Sequence, residues 1–282
     1  HIHQAFTYPQ SVKVEGNRVY LPKIGWVRFY KSRAIEGQIK RATIKRQASG
    51  WYISITCEVT IAPADIHPTT DGTLGIDLGL KDFIVTSDGE RVKTPQCLRD
   101  VERRLAREQR KFSRKHRGSH RYQRQRQRVA RLHERVKNMR QEFLHRLSTR
   151  LVRENQAIIV EDLNVKGLAR TRLAKSVYDA GWGEFVRQLE YKCRWAGKAF
   201  HKVGRFFPST KTCHHCGTLN NVSLSDREFI CQGCGRWVDR DYNAAQNIKE
   251  RGLLDLNVAA GQTETLNARG ATVRPATAGT LQ

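Results

Sequence analysis

Two short cysteine knuckles impose the strongest constraint on this chain. Cys213 and Cys216 form one Cys-x-x-Cys pair, and fourteen residues later Cys231 and Cys234 form another. Glycine follows each knuckle, at Gly217 and Gly235, where it lets the backbone turn so that its amides can face sulfur. Four thiolates supplied in two tight pairs match a closed, tetrahedral structural site for Zn2+. The alternative is a pair of redox dithiols, but no thioredoxin-like unit surrounds them. His214 and His215 lie inside the first knuckle and read as bystanders, since four cysteines already complete the site.

Of the seven cysteines, the other three (Cys57, Cys97 and Cys193) are scattered. That pattern, without an export signal, points to an intracellular, reducing compartment. No run approaches the roughly 18 apolar residues of a membrane span, and no membrane partner is expected. Charge is the outlier. The 282 residues carry 51 Lys and Arg against 27 Asp and Glu, a formal net charge of +24. Between Arg99 and Arg153 there are 20 Lys and Arg and only 5 Asp and Glu, a local balance of +15. Over half of the excess thus sits in one fifth of the chain. An even solubility excess would not cluster this way, whereas a polyanion partner accounts for it.

Residues 1–62 read as β structure. Alternating apolar residues flank a Gly16-Asn17 turn, a hairpin signal, and strands over 37–46 and 51–60 are joined at Ala48-Ser49-Gly50. This predicts part of an antiparallel β-barrel, of the wedge type. The sequence opens with His1 inside this strand-rich region and reads as a fragment of a longer chain. Residues 62–72 look like a linker. A domain over 73–207 follows, beginning with the apolar strand Leu74-Gly75-Ile76-Asp77-Leu78-Gly79, a second strand over 83–86 and a short third.

Residues 98–154 then turn helical and break at Gly118-Ser119, which predicts a hairpin of two helices. Val129, Leu132, Val136, Met139, Phe143, Leu147 and Leu151 give the second one a narrow apolar seam. Ala157 to Glu161 reads as a buried strand, 183–198 as an amphipathic helix with Phe185, Leu189 and Trp195 on one side, and 198–207 as a strand. The cysteine module occupies 208–238, the domain resumes over 239–255 with a helix at 241–251, and 256–282 reads as a flexible tail.

Three acids stand where a bare charge is unfavourable or conspicuous. Asp77 lies within an apolar strand, Glu161 closes another, and Asp241 opens a helix after the cysteine module. Singly they read as a turn residue, a strand-end charge and a helix cap. Together they supply what two-metal phosphodiester hydrolysis requires, namely carboxylates converging from separate elements. Magnesium is the natural ion for such hard oxygen ligands, with Mn2+ as a substitute. Asp162 and Asp239 are rival candidates by position.

Gly75-Ile76-Asp77-Leu78-Gly79 resembles the first motif of RuvC-type nucleases. Val160-Glu161-Asp162-Leu163-Asn164 resembles the second. Asp239-Arg240-Asp241-Tyr242-Asn243-Ala244-Ala245-Gln246-Asn247-Ile248 resembles the third, preceded by the cysteine module. This order, with a basic hairpin between the first two motifs, is similar to that of the TnpB (OrfB-type transposase) family, relatives of the type V CRISPR effectors. Leu21-Pro22-Lys23-Ile24-Gly25-Trp26 and Glu264-Thr265-Leu266-Asn267 also fit its pattern.

The resemblance implies an α/β, RNase H-like (RuvC) nuclease domain with an inserted helical hairpin and a zinc ribbon. The activity it implies is a transposon-associated, RNA-guided DNA endonuclease whose partners are a guide RNA from the transposon end and a target DNA. Asp77, Glu161 and Asp241 would be the catalytic metal ligands, and Cys213, Cys216, Cys231 and Cys234 the zinc ligands. On the hairpin, Arg103, Arg104, Arg107, Arg110, Lys111, Arg114, Lys115, Arg117, Arg121 and Arg124 would contact nucleic-acid phosphates.

Family members begin with a methionine, a basic first strand and a helical recognition segment, whereas this chain starts inside the barrel. A non-cleaving regulator of transposition that keeps the fold is the main alternative, and such a descendant would be free to lose the acidic trio. A bare zinc-containing DNA-binding module explains the cysteines and the charge but not the acids. A junction-resolving nuclease accounts for neither the cysteine module nor the hairpin. For a strand-joining transposase, no tyrosine or metal-binding His-x-His pattern is arranged for strand joining.

Overall fold

The computed structural model describes residues 4–60, 72–93, 96–163, 181–223 and 226–268. The chain forms two compact units, one built from residues 1–63 with 95–143 and the other from 64–94 with 144–282. The linker read at 62–72 falls outside the described residues except for Gly72, as does the end of the predicted tail, 269–282.

The first unit holds two antiparallel three-stranded sheets. Strands β2 (Lys13–Glu15), β3 (Arg18–Leu21) and β4 (Gly25–Arg28) form one. The predicted hairpin turn at Gly16 takes a φ of 54°, where glycine carries no side-chain penalty. Strand β5 (Gln38–Arg46) is flanked by β1 (Ala5–Tyr8) and β6 (Trp51–Glu58) in the other sheet. Val19 and Leu21 of β3 bury against Ile44 of β5, with Tyr8, Val14 and Ile53 around them, so the two sheets share one core.

The helical hairpin consists of α1 (Gln96–Ser113) and α2 (His120–Glu154), separated at Gly118 with φ 85°. Phe112 and Tyr122 stack at 4.7 Å beside the turn, and Gln125 donates to the Glu108 carboxylate at 2.8 Å farther down. The seam along α2 is buried at Val129, Leu132, Val136, Leu147 and Leu151, as its spacing predicts, with Met139 and Phe143 half-buried.

One difference concerns where this hairpin belongs. Read from sequence as an insertion in the second domain, it packs through residue 143 with the first unit. The reason is a polar hook. Gln127 donates to the Ala48 carbonyl at 2.6 Å, and the Ser49 amide donates to Glu134 at 2.8 Å, so the β5–β6 loop is tied to α2.

The second unit is built on a five-stranded mixed sheet in the order β11-β10-β7-β8-β9. Strands β7 (Thr73–Leu78), β8 (Ile84–Thr86) and β9 (Arg91–Val92) form an antiparallel meander. Strands β10 (Ala157–Glu161) and β11 (Ala199–Val203) run parallel to β7. The parallel strands β7 and β10 read as near-continuous apolar runs because both faces are covered. Helix α3 (Trp182–Trp195) packs on β10 and β11, and Phe185 meets Phe83 edge-on at 5.1 Å.

The buried stripe of α3 runs Trp182, Phe185, Leu189, Cys193, whereas Trp195 is 61% exposed. The sequence reading therefore placed Trp195 on the wrong side. The stripe follows 182, 185, 189 and 193, and 195 lies off that line. Strand β11 also ends at Val203, short of the predicted Phe207.

Helix α4 (Arg240–Ala268) lies along the sheet and continues through the first part of the segment read as a tail. Leu253 and Leu256 pack against Ile159, Val203 and Ile248, which extends the helix past the predicted Arg251. Its seating depends on two glycines. A Cβ at Gly75 of β7 would run into the Ala245 carbonyl oxygen and the Lys249 amide, and one at Gly252 would strike the Ile159 side chain. Small β12 (Glu228–Ile230) and β13 (Trp237–Asp239) pair antiparallel just before α4. Gly75→Ala is expected to destabilise the protein by about 3 kcal/mol, since neighbouring backbone must move to admit the methyl group. Urea unfolding checks this, and a shift under about 1 kcal/mol would contradict the close seating.

Candidate active site and cysteine cluster

Alternation along the strands sets where the acids point. Gly75 and Ile159 both face α4, so Asp77 and Glu161, two residues on from each, fall on the same covered face. The parallel register pairs Val160 with Ile76, which places Glu161 and Asp77 side by side at the carboxyl ends of their strands. Helix α4 begins at that end, with Asp241 in its first turn. Elements far apart in sequence thus bring Asp77, Glu161 and Asp241 into one neighbourhood.

Electrostatics records the meeting. Burial, then the charges of Asp241 and Glu161, push the Asp77 carboxyl up from its ordinary 3.8 to about 7. Arg240 opposes this rise. Glu161 is also raised, first by burial, although Ser209 donates to it at 3.4 Å. Asp241 is held by guanidinium groups on both oxygens, with Arg240 at 2.9 Å and Arg227 at 3.1 Å.

The rival acids are engaged elsewhere. Asp239 accepts the Tyr242 amide at 2.9 Å as the N-cap of α4 and pairs with Arg91 at 2.7 Å. Asp162 pairs with Arg205 at 2.8 Å.

The four cysteines gather as their spacing predicts. The sulfurs of Cys213, Cys216, Cys231 and Cys234 all lie within 4.8 Å of one another. Among the described residues no other metal-ligating group is as tight, and the three carboxylates do not close to that distance. A tetrahedron with Zn–S of about 2.3 Å needs sulfurs about 3.8 Å apart. Here Cys213–Cys234 is 3.9 Å and Cys216–Cys231 is 3.5 Å. Backbone amides of Cys234 and Gly233 hold the Cys231 thiol down to about 6, which favours the thiolate that binds metal. Each knuckle closes by a turn, Gly217 N–H to the Cys213 carbonyl at 2.8 Å and Gly235 N–H to that of Cys231 at 2.9 Å. His214 and His215 lie outside the cluster, His215 beside Arg236 at 2.8 Å.

Two positioning residues stand in the sequence only as letters of the third motif. Asn243 and Asn247, one turn apart on α4, bind the start of the cysteine module. Asn243 accepts the His214 amide at 2.9 Å and donates to the Thr212 carbonyl at 2.7 Å. Asn247 donates to the carbonyls of Ser209 at 2.7 Å and Thr212 at 2.6 Å. The available signal was two asparagines at four-residue spacing in a helix interior, where their propensity is poor.

All ten cations named on the hairpin, from Arg103 to Arg124, are solvent-exposed. Within this set Arg103 pairs with Asp100 at 3.5 Å and Lys111 with Glu108 at 2.7 Å. No helix of the described residues is long and apolar enough to cross a membrane.

A raised carboxyl makes stability pH-dependent. Between about pH 4 and 7 the unfolded chain has lost the Asp77 proton and the folded chain has kept it, so this contribution to stability falls as pH rises. Without divalent cations, Asp77→Asn should raise the Tm at pH 8 by a few degrees, with the gain vanishing near pH 4. Differential scanning calorimetry at the two pH values checks both.

Residues 54–172 match the OrfB_IS605 family, described as "Probable transposase", and residues 182–248 match the Cas12f1-like TNB domain. A Streptomyces pristinaespiralis protein named "Putative RNA-guided DNA endonuclease" is 44% identical over 214 residues, 75% of this chain and 52% of that protein. The Escherichia coli K12 protein named "Putative RNA-guided DNA endonuclease InsQ" is 34% identical over 267 residues, 88% of this chain and 66% of that protein. The chain therefore spans about half to two thirds of the length of these relatives. Among solved structures, the Cas12f1-sgRNA-target DNA complex aligns with a TM-score of 0.54 at 19% identity, over 75% of this chain and 45% of that one, a likeness of fold. With family matches over residues 54–172 and 182–248 and relatives of this identity, the chain belongs to the TnpB (OrfB-type) family.

Proposed function

We propose that the chain is the nuclease portion of a transposon-associated, RNA-guided DNA endonuclease with a RuvC-type, RNase H-like site. The observation that carries this reading is Asp77, half-buried in an otherwise buried strand and raised to about 7 beside two further carboxylates from separate elements. A purely structural role gives no return for such a cluster, whose repulsion Arg227 and Arg240 offset only in part. A hydrolase that binds divalent cations gains from it.

Asp77, Glu161 and Asp241 would hold Mg2+ or Mn2+. Bound there, divalent cations would activate water and neutralise charge developing on the phosphodiester. The chain's own residues do the positioning. Ser209 fixes Glu161, and the N-cap Asp239 with Arg91 fixes the first turn of α4 and hence Asp241. Arg227 and Arg240 provide guanidinium groups at the site's edge, suited to a phosphate oxygen. The exposed cations of α1 and α2 would follow the phosphate backbones of guide RNA and target DNA, leaving sequence to base pairing. The names of the relatives support the RNA-guided part of this reading.

Zn2+ in the four-cysteine cluster would have a structural role. The sulfur spacing and the backbone amides around Cys231 support it.

In the natural full-length protein, Asp77→Asn should abolish Mg2+-dependent DNA cleavage while nucleic-acid binding stays within about twofold, because a neutral amide no longer balances a cation. Cleavage at the wild-type rate would overturn the assignment. Elemental analysis of the purified chain should find about one zinc, lost in Cys231→Ser. A metal-free, fully folded sample would refute the zinc site.

A further inference from the structure

Helix α3 carries a feature that the hydrolytic site does not use. Arg187, Tyr191 and Trp195 follow one another at four-residue intervals and so share one face. The Arg187 guanidinium lies over the Tyr191 ring at 5.4 Å, and the Tyr191 and Trp195 rings are 4.5 Å apart. This ladder lies off the buried stripe of Trp182, Phe185, Leu189 and Cys193, and Trp195 is 61% exposed. An open tryptophan at the end of a cation–aromatic stack contributes little to the core.

The ladder begins at a cleft that borders the candidate active site. The cleft is lined by Glu161, Asp162, Trp182, Val186, Arg187 and Lys202; of the three acids Glu161 alone reaches it, and Arg187 belongs to both the cleft and the ladder. Arg187 is held in place by Glu184 at 2.7 Å. From Arg187 to Trp195 the ladder covers about 12 Å of helix. Exposed Arg194 adds positive charge beside its far end.

We propose that Arg187, Tyr191 and Trp195 form a stacking track for single-stranded DNA, leading the strand to be cut into the cleft at Glu161. A duplex keeps its bases stacked on each other, whereas an unpaired strand can lay successive bases on aromatic faces while cations follow its phosphates. The identity of the occupant as the substrate strand rests on the hydrolytic reading above. The track itself is testable without hydrolysis.

The test is fluorescence anisotropy of a labelled thymidine pentamer with the whole chain in EDTA, at about 0.3 M NaCl to suppress phosphate contacts. Trp195→Ala should weaken binding about 5- to 100-fold, as should Tyr191→Ala. Trp195→Phe should restore most of the affinity and Trp195→Leu should not, since stacking needs a π-face rather than apolar area. A blunt duplex competitor should be insensitive to all of these changes. Circular dichroism confirms folding, and the exposed Trp195 series decides the matter if Tyr191→Ala unfolds.

Affinity unmoved by Trp195→Ala, full rescue by leucine, or tighter binding of a uridine pentamer would each overturn the proposal. A chain that binds the pentamer through the ladder but never cleaves DNA refutes the hydrolytic reading alone. One that cleaves with pentamer binding unchanged by the substitutions refutes the track alone.

Discussion

The second unit depends on the close approach of α4 to the sheet. Gly75 and Gly252 remove the two side chains that would hold them apart, and contacts on three sides fix the helix once it is down. Arg91 pairs with the N-cap Asp239, Gln246 donates to the Ser87 carbonyl at 2.9 Å, and Asn243 with Asn247 grips the cysteine module. Asp241 has no route to the carboxylates on β7 and β10 except through this seating. A helix lifted by the width of a methyl group would carry it away.

That seating has an electrostatic consequence. Bringing Asp241 over Asp77 and Glu161 places like charges in a partly desolvated space, which opposes folding. The chain offsets part of this with Arg240 and Arg227 on Asp241 and lets Asp77 keep a proton up to about pH 7. Local stability is thereby given up at the site where the proposed chemistry requires charge, a trade common to functional sites.

What could be read from sequence and what could not divide along physical lines. The knuckles, the hairpin turn at Gly16, the seam of α2 and the acid within each apolar strand are local signals, fixed by spacing within a few residues. The contacts of Arg91 with Asp239 and of Asn243 and Asn247 with the cysteine module span 29 to 148 residues, and no local pattern announces them. The hairpin's attachment to the first unit turns on a few hydrogen bonds at the β5–β6 loop, where Gln127 donates to the Ala48 carbonyl and Glu134 accepts from the Ser49 amide. Trp195 was misplaced because an amphipathic pattern fixes a helix more securely than it fixes the edge of its buried stripe. Of the candidate site, the residue types that gather, four cysteines and three acids, were legible. Which of the adjacent acids faced the centre, 239 or 241 and 161 or 162, followed only from strand alternation and the helix cap.

The cysteine cluster and the acids are also less separate than their chemistry suggests. Asn243 lies two residues from Asp241 and holds the backbone of the first knuckle through both His214 and Thr212. Ser209, which Asn247 binds through its carbonyl, donates its hydroxyl to Glu161. The entry to the cysteine module is therefore connected to two of the three carboxylates through one helix turn. Disordering the knuckles would release the Thr212 and Ser209 carbonyls from their buried donors and loosen the start of α4 with them. On this geometry the cluster acts as a brace on the candidate site, because the same two asparagines that anchor it also set where the acids stand.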